Sequence, residues 1–243
     1  MLHFLAEDAG DAHPGSPVVL TGPEAHHAAA VRRVRVGEEV TVGDGRGMWA
    51  TGTVASVAPR EVVITVDQRR DVPARTPRLV LVQALAKGDR DELAIQAATE
   101  LGVDAIVPWQ AGRSVSRWGD KAEKGRARWA GIVREAAKQA HRAWVPEVEQ
   151  VATTARVAAR SAASVVLVLE PTATARLSDA VRAIEEPAEV LLVVGPEGGI
   201  DPGELDVFTQ AGARLVRLGD SVLRTSTAGP AALAAVEVCL GRW

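Results

Sequence analysis

The sequence predicts an α/β protein made of a small β-rich unit followed by a doubly wound parallel sheet. Up to about residue 70, short alternating segments are separated by tight, glycine-bearing turns, a pattern typical of a small β-barrel. From residue 78 onward, near-continuous apolar runs alternate with helical patterns, as in strands buried on both faces. The 243 residues, 47% of them apolar, suffice for one large or two small domains. We place the domain boundary between residues 72 and 73.

The elements of the N-terminal part follow from alternation and turn residues. Thr21 is predicted to begin a helix over 23–31, because Glu24 stands three residues later, as in a capping box. The glycines of 43–47 predict a hairpin loop, and the prolines and arginines of 67–77 predict a linker. The predicted strands are 18–20, 39–42, 48–57 and 61–66.

Two polar groups stand out in this part. His26 and His27 point about 100° apart on a helix, which makes a poor metal pair and favours a capping or core role. Arg32, Arg33 and Arg35 follow at the helix end, where they either complement the helix dipole or grip phosphates. The sequence leaves these two roles of the arginines open.

In the C-terminal part, five apolar runs predict five parallel strands joined by crossover helices. Asp89 is predicted to cap a helix that Gly102 ends, and Asp201-Pro202 is a strong helix start. Helical spacing favours a core position over a base-stacking surface for Trp129, Ile132, Val133, Ala136 and Ala140. The predicted strands are 78–85, 103–108, 164–169, 190–194 and 214–218, and further helices are predicted over 90–101, 152–163, 174–186 and 228–240.

Composition excludes several classes of protein. Cys239 is the single cysteine, so no internal disulfide forms and a reducing compartment fits. No apolar run reaches the roughly 18 residues of a membrane span, and the N-terminus lacks a secretion signal, so we expect a cytoplasmic protein. The net charge is −3, yet residues 113–142 hold 9 basic and 3 acidic residues. This segment is either a solvated helix face or a contact for a polyanion.

Three loops follow predicted strands, at the sheet edge where open α/β proteins bind ligands: 170–172, 195–199 and 219–227. Their glycines allow a ligand to approach the backbone closely. The 195–199 loop lacks the spaced glycines of a dinucleotide site and the lysine of a phosphate-cradling loop, and it carries the anionic Glu197. It therefore suits a ligand without phosphates that carries an adenine, a ribose and a positive centre.

The chain resembles the RsmE family of 16S (small-subunit) rRNA uridine N3-methyltransferases, members of the SPOUT class. The matching stretches run nearly from end to end. They are 22–27 with 31–33, 83–90, 98–103, 113–115, 128–129 with 135–139 and Arg142, 195–199 with Glu204, and 218–225.

The resemblance implies a PUA-like N-terminal β-barrel that binds RNA, a SPOUT-type parallel sheet with a deep trefoil knot, S-adenosylmethionine as the methyl donor, no metal, and a homodimer acting on 16S rRNA within the assembled small subunit. It assigns RNA contacts to Arg32, Arg33, Arg35, Lys87, Arg90 and Arg113. It assigns cofactor binding to Leu169, Glu170, Gly195, Pro196, Glu197, Gly198, Gly199, Leu218, Gly219, Ser221, Val222, Leu223, Thr227 and Ala228.

Methylation of N3 requires an unpaired base that loses its N3 proton, and a nearby cation stabilises the resulting anion. We assign this role to Arg224 or Arg113, with Glu197 as a candidate base whose alternative role is to complement the following helix.

The chain also departs from the family pattern at three places. Ala97 stands where the family often has a lysine, Ser226 stands where it usually has a glutamate, and Leu2 or His3 stands where relatives have an early basic residue. Two alternatives therefore stay open: an RNA-binding protein with an inactive methyltransferase domain, or another nucleotide-binding α/β enzyme.

Overall fold

The computed structural model of the chain describes residues 1–185 and 187–243, which separate into two compact units. The first unit contains Met1–Ala74 together with Ala137–Val145, and the second contains Arg75–Ala136 together with Pro146–Trp243. This division places 137–145 with the N-terminal residues, whereas the sequence-based division at residue 72 places them with the C-terminal part. Among the described residues, no helix is both long and apolar enough to cross a membrane.

The first unit is built on one sheet with the strand order β1-β3-β4-β5-β2, in which β1 and β3 are parallel and the other pairs antiparallel. Alternate residues of these strands face a single apolar core that includes Phe4, Leu20, Val40 and Ile64. The strands are β1 (Leu2–Leu5), β2 (Pro17–Thr21), β3 (Glu39–Gly43), β4 (Met48–Ala58) and β5 (Glu61–Asp71), and the helix α1 (Gly22–His26) continues as a wider turn over His27–Val31.

Strand β5 extends into the predicted linker. Gln68 pairs with Thr51 and Arg70 pairs with Trp49, so the ladder with β4 continues to Asp71. The guanidinium of Arg70 lies over the Trp49 ring, 5.6 Å from its centre, a cation–π contact that sequence spacing does not reveal. The linker prediction is therefore wrong for residues 67–71. Strand β1 was also missed, because four residues with a buried histidine show no clear alternation.

The predicted capping box at Thr21 is wrong. The Thr21 side chain makes no capping hydrogen bond, although a helix does begin at the next residue. Glu24 faces another partner: its Oε2 accepts a hydrogen bond from Nζ of Lys138 at 2.9 Å, and its Oε1 accepts one from the Leu5 amide at 3.2 Å. Both side chains of this ion pair are largely buried. A buried lysine retains its carboxylate partner in preference to local capping, because an unpaired buried charge is costly.

A buried histidine lies in the same unit. His3 is 7% exposed, its ring stacks on Trp49 at 4.3 Å, and its Nδ1 hydrogen-bonds to the Thr41 hydroxyl. Burial, together with the nearby His141 and Lys138, lowers the pKa of His3 to about 4. The folded protein therefore holds His3 neutral at a pH where the unfolded chain already binds a proton.

We expect this difference to weaken the fold in mild acid. Above the ordinary histidine pKa both states are neutral, so stability does not depend on His3; between that pKa and about 4 the unfolded state gains the proton. The unfolding free energy should fall by up to about 3 kcal/mol over this window. Urea titrations at pH 7 and pH 5 measure the loss, and H3Q, which cannot titrate, should reduce it. An equal loss in H3Q would contradict the assignment.

The second unit contains a sheet of parallel strands in the order β11-β9-β10-β6-β7-β8, with helices between successive strands. This confirms the predicted doubly wound α/β architecture. The strands are β6 (Arg78–Ala84), β7 (Ala105–Trp109), β8 (Glu147–Val148), β9 (Val165–Leu169), β10 (Glu189–Val194) and β11 (Arg214–Val216). The helices are α2 (Arg90–Glu100), α3 (Ala122–Gln139), α4 (Thr154–Ala159), α5 (Leu177–Arg182), α6 (Pro202–Gln210) and α7 (Thr225–Cys239), and the last three residues of α3 belong to the first unit.

Several predicted boundaries shift. Strand β8, only two residues long, was missed, and the structure has six parallel strands in its described residues where five were predicted. The predicted helix 152–163 shortens to α4 with a tight turn after it, and the predicted helix 174–186 shortens to α5, its predicted last residue Glu186 lying outside the described residues. Strand β11 ends at Val216, and α7 begins at Thr225, three residues before its predicted start.

The predictions for the starts of α6 and α2 have different outcomes. At α6 the prediction is confirmed and extended: Asp201 accepts a hydrogen bond from the Gly203 amide, Glu204 reaches back to the Asp201 amide, and Pro202 takes the first position. At α2 the Asp89 side chain makes no capping bond. Its neighbour Asp91 accepts hydrogen bonds from the amides of Ala86 and Glu92 instead, so the acid that fixes this start is two residues further on.

Candidate functional site

A cavity of about 420 Å³ opens at the carboxyl end of the parallel sheet in the second unit. Part of its lining is a row of residues in register: Val216 of β11 pairs with Leu169 of β9, which pairs with Val194 of β10. Because the strands are parallel, the loops that follow these residues all leave at one edge of the sheet. We call this opening the strand-end cavity. Its volume lies within the range of small-molecule sites, about 300–1,000 Å³.

Most residues predicted to bind the cofactor line the strand-end cavity. They are Leu169, Glu170, Gly195, Pro196, Glu197, Gly199, Leu218, Gly219, Ser221, Val222, Leu223 and Ala228. Gly198 and Thr227 lie in the same segments but outside this lining, as far as the described residues show.

Sequence reasoning missed six lining residues: Pro171, Val194, Ile200, Val216, Arg217 and Thr225. Val194 and Val216 are the last residues of their strands, Arg217 comes directly after β11, and Pro171 is the second residue after β9, so their positions were a usable signal. Thr225 lies in the loop 219–227 that was predicted to bind the ligand, but it was not named individually.

The 195–199 loop forms a wall of the cavity, and its shape depends on glycine. A Cβ added to Gly195 would lie 2.6 Å from Cγ1 of Ile200, closer than real Cβ contacts. The loop then turns, with the Gly199 amide donating to the Pro196 carbonyl at 3.0 Å and Gly199 at φ +74°. The chain enters the capped helix α6 directly afterwards, which fixes the far end of the loop.

Glu204 connects this wall with two other segments. Its Oε1 accepts hydrogen bonds from the Gly112 amide at 2.9 Å and from the Thr154 hydroxyl at 2.5 Å, in addition to the cap of α6. The neighbouring Arg113 donates to the Gly198 carbonyl at 3.2 Å and lies 3.4 Å from the Asp201 carboxylate. Arg113 therefore braces the outside of the 195–199 loop and is not part of the cavity lining among the described residues.

Glu197 links the loops that follow β6 and β10. Its Oε1 accepts hydrogen bonds from the Lys87 amide at 3.0 Å and from Nη1 of Arg90 at 2.9 Å. Partial burial by itself raises the pKa of Glu197, but hydrogen bonds from its own amide and that of Lys87, together with the Arg90 guanidinium, outweigh burial and lower the pKa. The carboxylate is thus ionised at neutral pH and accepts two hydrogen bonds at Oε1, which makes it a weak base.

Three arginines line the strand-end cavity, and their charges differ in availability. Arg90 is paired with Glu197, and Arg217 is paired with Asp220. Arg224 is exposed at the start of α7 and forms no ion pair within the part of the chain that the structure describes. Arg224 therefore presents an uncompensated positive charge at the cavity wall.

The remaining predicted RNA contacts lie on exposed segments. Arg32, Arg33 and Arg35 are all exposed in the first unit and make no side-chain ion pair with described residues. Arg33 has a φ of +55°, unusual for a residue with a side chain, so this short segment is sharply bent. Lys87 is exposed in the second unit beside Glu197. Arg90, by contrast, faces the cavity and is held by Glu197.

The lining carries charges of both signs, because carboxylates stand beside the three arginines Arg90, Arg217 and Arg224. It contains two carboxylates, Glu170 and Glu197, and no lysine among the described residues. Glu170 is oriented, because its Oε1 accepts hydrogen bonds from both the amide and the hydroxyl of Thr172. The glycine-bearing segments expose backbone donors and acceptors to the ligand. No group of three or more His, Cys, Asp or Glu residues suited to a metal ion occurs in residues 1–185 and 187–243.

Comparison with known protein families gives matches over both parts of the chain. Residues 74–237 match the family described as RNA methyltransferase domain, and residues 20–67 match the family described as RNA methyltransferase PUA domain.

Similar proteins cover almost the whole chain. Ribosomal RNA small subunit methyltransferase E of Mycobacterium bovis is 46% identical, over 94% of this chain and 89% of its own length. The protein of the same name from Bacillus subtilis is 33% identical, over 90% and 88%. The structure resembles that of a ribosomal RNA small subunit methyltransferase E from Neisseria gonorrhoeae bound to S-adenosyl methionine, with a TM-score of 0.86, 27% identity, and 98% and 97% of the two chains covered.

Proposed function

The chain belongs to the ribosomal RNA small subunit methyltransferase E family, and we propose that it methylates N3 of a uridine in 16S rRNA, with S-adenosylmethionine as the donor. The observation that carries this proposal is the strand-end cavity, in which glycine-bearing loops and two carboxylates stand beside one unpaired arginine, Arg224. This arrangement supports a cofactor site with a cation for the reacting base beside it.

S-adenosylmethionine, when bound, supplies a methyl group on a positively charged sulfonium. Glu170 and the backbone of the 195–199 and 218–223 segments would hold its polar groups, and the apolar side chains of Leu169, Val194 and Val216 would contact its apolar atoms. The Glu170 carboxylate, which forms no ion pair among the described residues, favours its positive charge.

Arg224 is the residue that we assign to the reacting base. N3 of uracil is a poor nucleophile while it carries its proton, and loss of that proton places negative charge on N3, O2 and O4. The guanidinium of Arg224 has planar N–H donors that can stabilise this charge, and no carboxylate competes for them in the described residues. The proton then leaves to water or to an RNA group rather than to Glu197.

The Glu197 role is tested by E197Q. We expect this variant to bind S-adenosylmethionine more weakly, because the attraction between the loops of β6 and β10 is reduced, while its pH–rate profile keeps the wild-type shape. If Glu197 were the general base, E197Q would lose about 10²–10⁴-fold in rate at every pH. Isothermal titration with the cofactor and single-turnover rates from pH 6 to pH 9 distinguish the two roles.

We assign RNA binding to the first unit and to Lys87. We place the sequence boundary between the two functional parts near residue 72. Arg32 and Arg35 are the phosphate contacts most open to test, since a substitution at Arg33 also disturbs its backbone. R32A/R35A should weaken RNA binding without altering cofactor affinity. It should also reduce the magnitude of the slope of log K against log salt concentration by about 1.5–2. The control is R182A/R214A, two exposed arginines of the second unit, and an equal change in that control would contradict the assignment.

The wider context follows from the same proposal. We expect the chain to act as a homodimer in the cytoplasm on RNA within the assembled small subunit. The threading of the last strand, loop and helix into a deep trefoil knot also stays a prediction.

The deciding experiment is to incubate small ribosomal subunits that lack the modification with labelled S-adenosylmethionine, and then to map the methylated nucleoside. Label on N3 of a single uridine supports the proposal. RNA binding without transfer would favour an inactive methyltransferase domain, for which Ser226 is the motivating residue. Binding of a phosphate-bearing nucleotide in place of the methyl donor would favour another α/β enzyme.

A further inference from the structure

A buried hydrogen-bond relay lies beneath the strand-end cavity. Gln83 on β6 is fully buried and stands in register with Val194 of β10, next to Gly195. Its Nε2 donates to the Thr225 hydroxyl at 2.9 Å, and that hydroxyl donates to the Gly195 carbonyl at 2.9 Å. The relay therefore joins a central strand, the first residue of α7 and the first residue of the 195–199 loop.

The direction of each hydrogen bond in the relay is determined. A hydroxyl has one hydrogen, and in Thr225 this hydrogen goes to the Gly195 carbonyl, so the oxygen must accept from Gln83. The amide of Gln83 supplies that donor and gives its second hydrogen to the Ala84 carbonyl at 3.2 Å. A carboxylate at position 83 could not donate, and a hydrocarbon would leave the Thr225 oxygen without a donor.

The relay leaves one buried polar atom unpaired, and packing does not explain this cost in stability. Oε1 of Gln83 is buried and has no hydrogen-bond partner in residues 1–185 and 187–243. An unpaired buried acceptor destabilises a fold, and an apolar side chain would avoid the penalty. The neighbouring β6 residues Leu81 and Val82 are apolar and fully buried, so an apolar residue suits this strand. The donor that Gln83 supplies to Thr225 accounts for a polar side chain here.

The relay controls the residue that precedes Thr225. Arg224 has extended backbone angles, and its carbonyl accepts hydrogen bonds from the amides of Thr227 and Ala228, both at 2.9 Å. One turn later, a Cβ added to Gly229 would lie 2.9 Å from Leu81, so α7 lies close against the sheet. Because the side chain of Thr225 is held by hydrogen bonds beneath the cavity, the Cα of Arg224 has little freedom. The Arg224 side chain therefore extends from a fixed backbone position.

From this geometry we infer that Gln83 and Thr225 are positioning residues: they hold Arg224 and the Gly195 loop in the arrangement that the reaction needs. The inference rests on the proposed function, because it assigns the relay to the placement of the cation beside the base. Neither side chain needs to touch the RNA. When S-adenosylmethionine is saturating, their effect on the rate passes through Arg224.

The test is a double-mutant cycle on single-turnover methylation of small subunits at saturating S-adenosylmethionine. T225V keeps the side-chain volume and removes the hydroxyl, and we expect a loss of about 10–100-fold, the effect of misplacing a catalytic group by an ångström or less. T225S returns the hydroxyl and should recover most of the lost rate. Q83M should slow the reaction in the same direction, and it provides a second cycle if T225V folds poorly.

Coupling to Arg224 separates positioning from a structural role. Adding T225V to R224A should cause little further loss, and T225V should shift the pH–rate profile upward as R224A does, because both weaken stabilisation of the N3 anion. The control T99V removes another buried threonine hydroxyl, one that donates to Ile95 within α2, and should leave the pH profile unmoved. Additive losses, or an unshifted profile in T225V, would overturn the inference. A wild-type protein that transfers no methyl group would instead refute the proposed function.

Discussion

R224A is expected to lower the rate of methyl transfer by about 10²–10³-fold, the cost of removing one donor that stabilises developing negative charge. The affinity for S-adenosylmethionine should stay near the wild-type value, because a cation contributes little to binding a positively charged sulfonium. The loss should shrink as the pH rises, since more of the uracil is then already deprotonated. Single-turnover rates from pH 6 to pH 10, with cofactor titrations, measure both effects.

Two further variants sharpen this test. R224K keeps the charge but not the planar pair of donors, so it should retain an intermediate rate. R214A removes an exposed arginine on β11 outside the cavity lining and should behave as wild type. If R224A lost cofactor binding and rate in equal measure, Arg224 would be a cofactor ligand rather than a group that acts on the base.

The largest effect on stability is expected from R75M. Glu237 on α7 is fully buried, and its carboxylate lies 3.1 Å from Arg75 and 3.6 Å from Arg242. Arg75 also contacts Asp104 at 3.0 Å, so it ties α7 to the segment before β7. Removing one partner of a buried charge typically costs about 3–5 kcal/mol, and we expect about 3 here, since Arg242 remains. Urea unfolding at pH 7 measures the change.

A second variant removes the buried Glu237 charge that R75M leaves without one of its partners. E237Q in the R75M background should recover part of the lost stability, because the amide no longer places an ionised group in the interior. R182M breaks the well-exposed pair with Asp179 and should leave the stability close to that of the wild type. A lack of coupling between R75M and E237Q would show that Arg75 stabilises the unit through Asp104 and the Gly102 carbonyl instead.

Local patterns predicted the sheet of the second unit closely. Strands β6, β7, β9 and β10 lie within two residues of their predicted bounds, because buried parallel strands are near-continuous apolar runs. The start of α6 was predicted equally well, since its signals Asp201, Pro202 and Glu204 all lie within one helical turn. Strands β1 and β8 were missed, because each is short and is defined by its hydrogen-bonded neighbour more than by its own residues.

Long-range partners account for the predictions that failed. Glu24 looked like the second half of a capping box, but its partner Lys138 lies 114 residues away. Asp89 looked like a cap, whereas Asp91 holds the loop after β6. Arg90, which stays a predicted phosphate contact, likewise has a distant partner, Glu197, 107 residues further on. A local pattern cannot show which of several plausible partners will be nearest after folding.

The sequence by itself determined the α/β class, the family, and the glycine-bearing segments at the strand ends, because periodicity, caps and turn residues act over a few positions. Only the tertiary structure decided how the charges are distributed among those segments. It pairs Glu197 with Arg90 and Arg113 with Asp201, it leaves Arg224 without an ion pair among the described residues, and it places Gln83 under Thr225, 142 residues away. These relations depend on strand order and register, which bring distant residues within hydrogen-bonding distance.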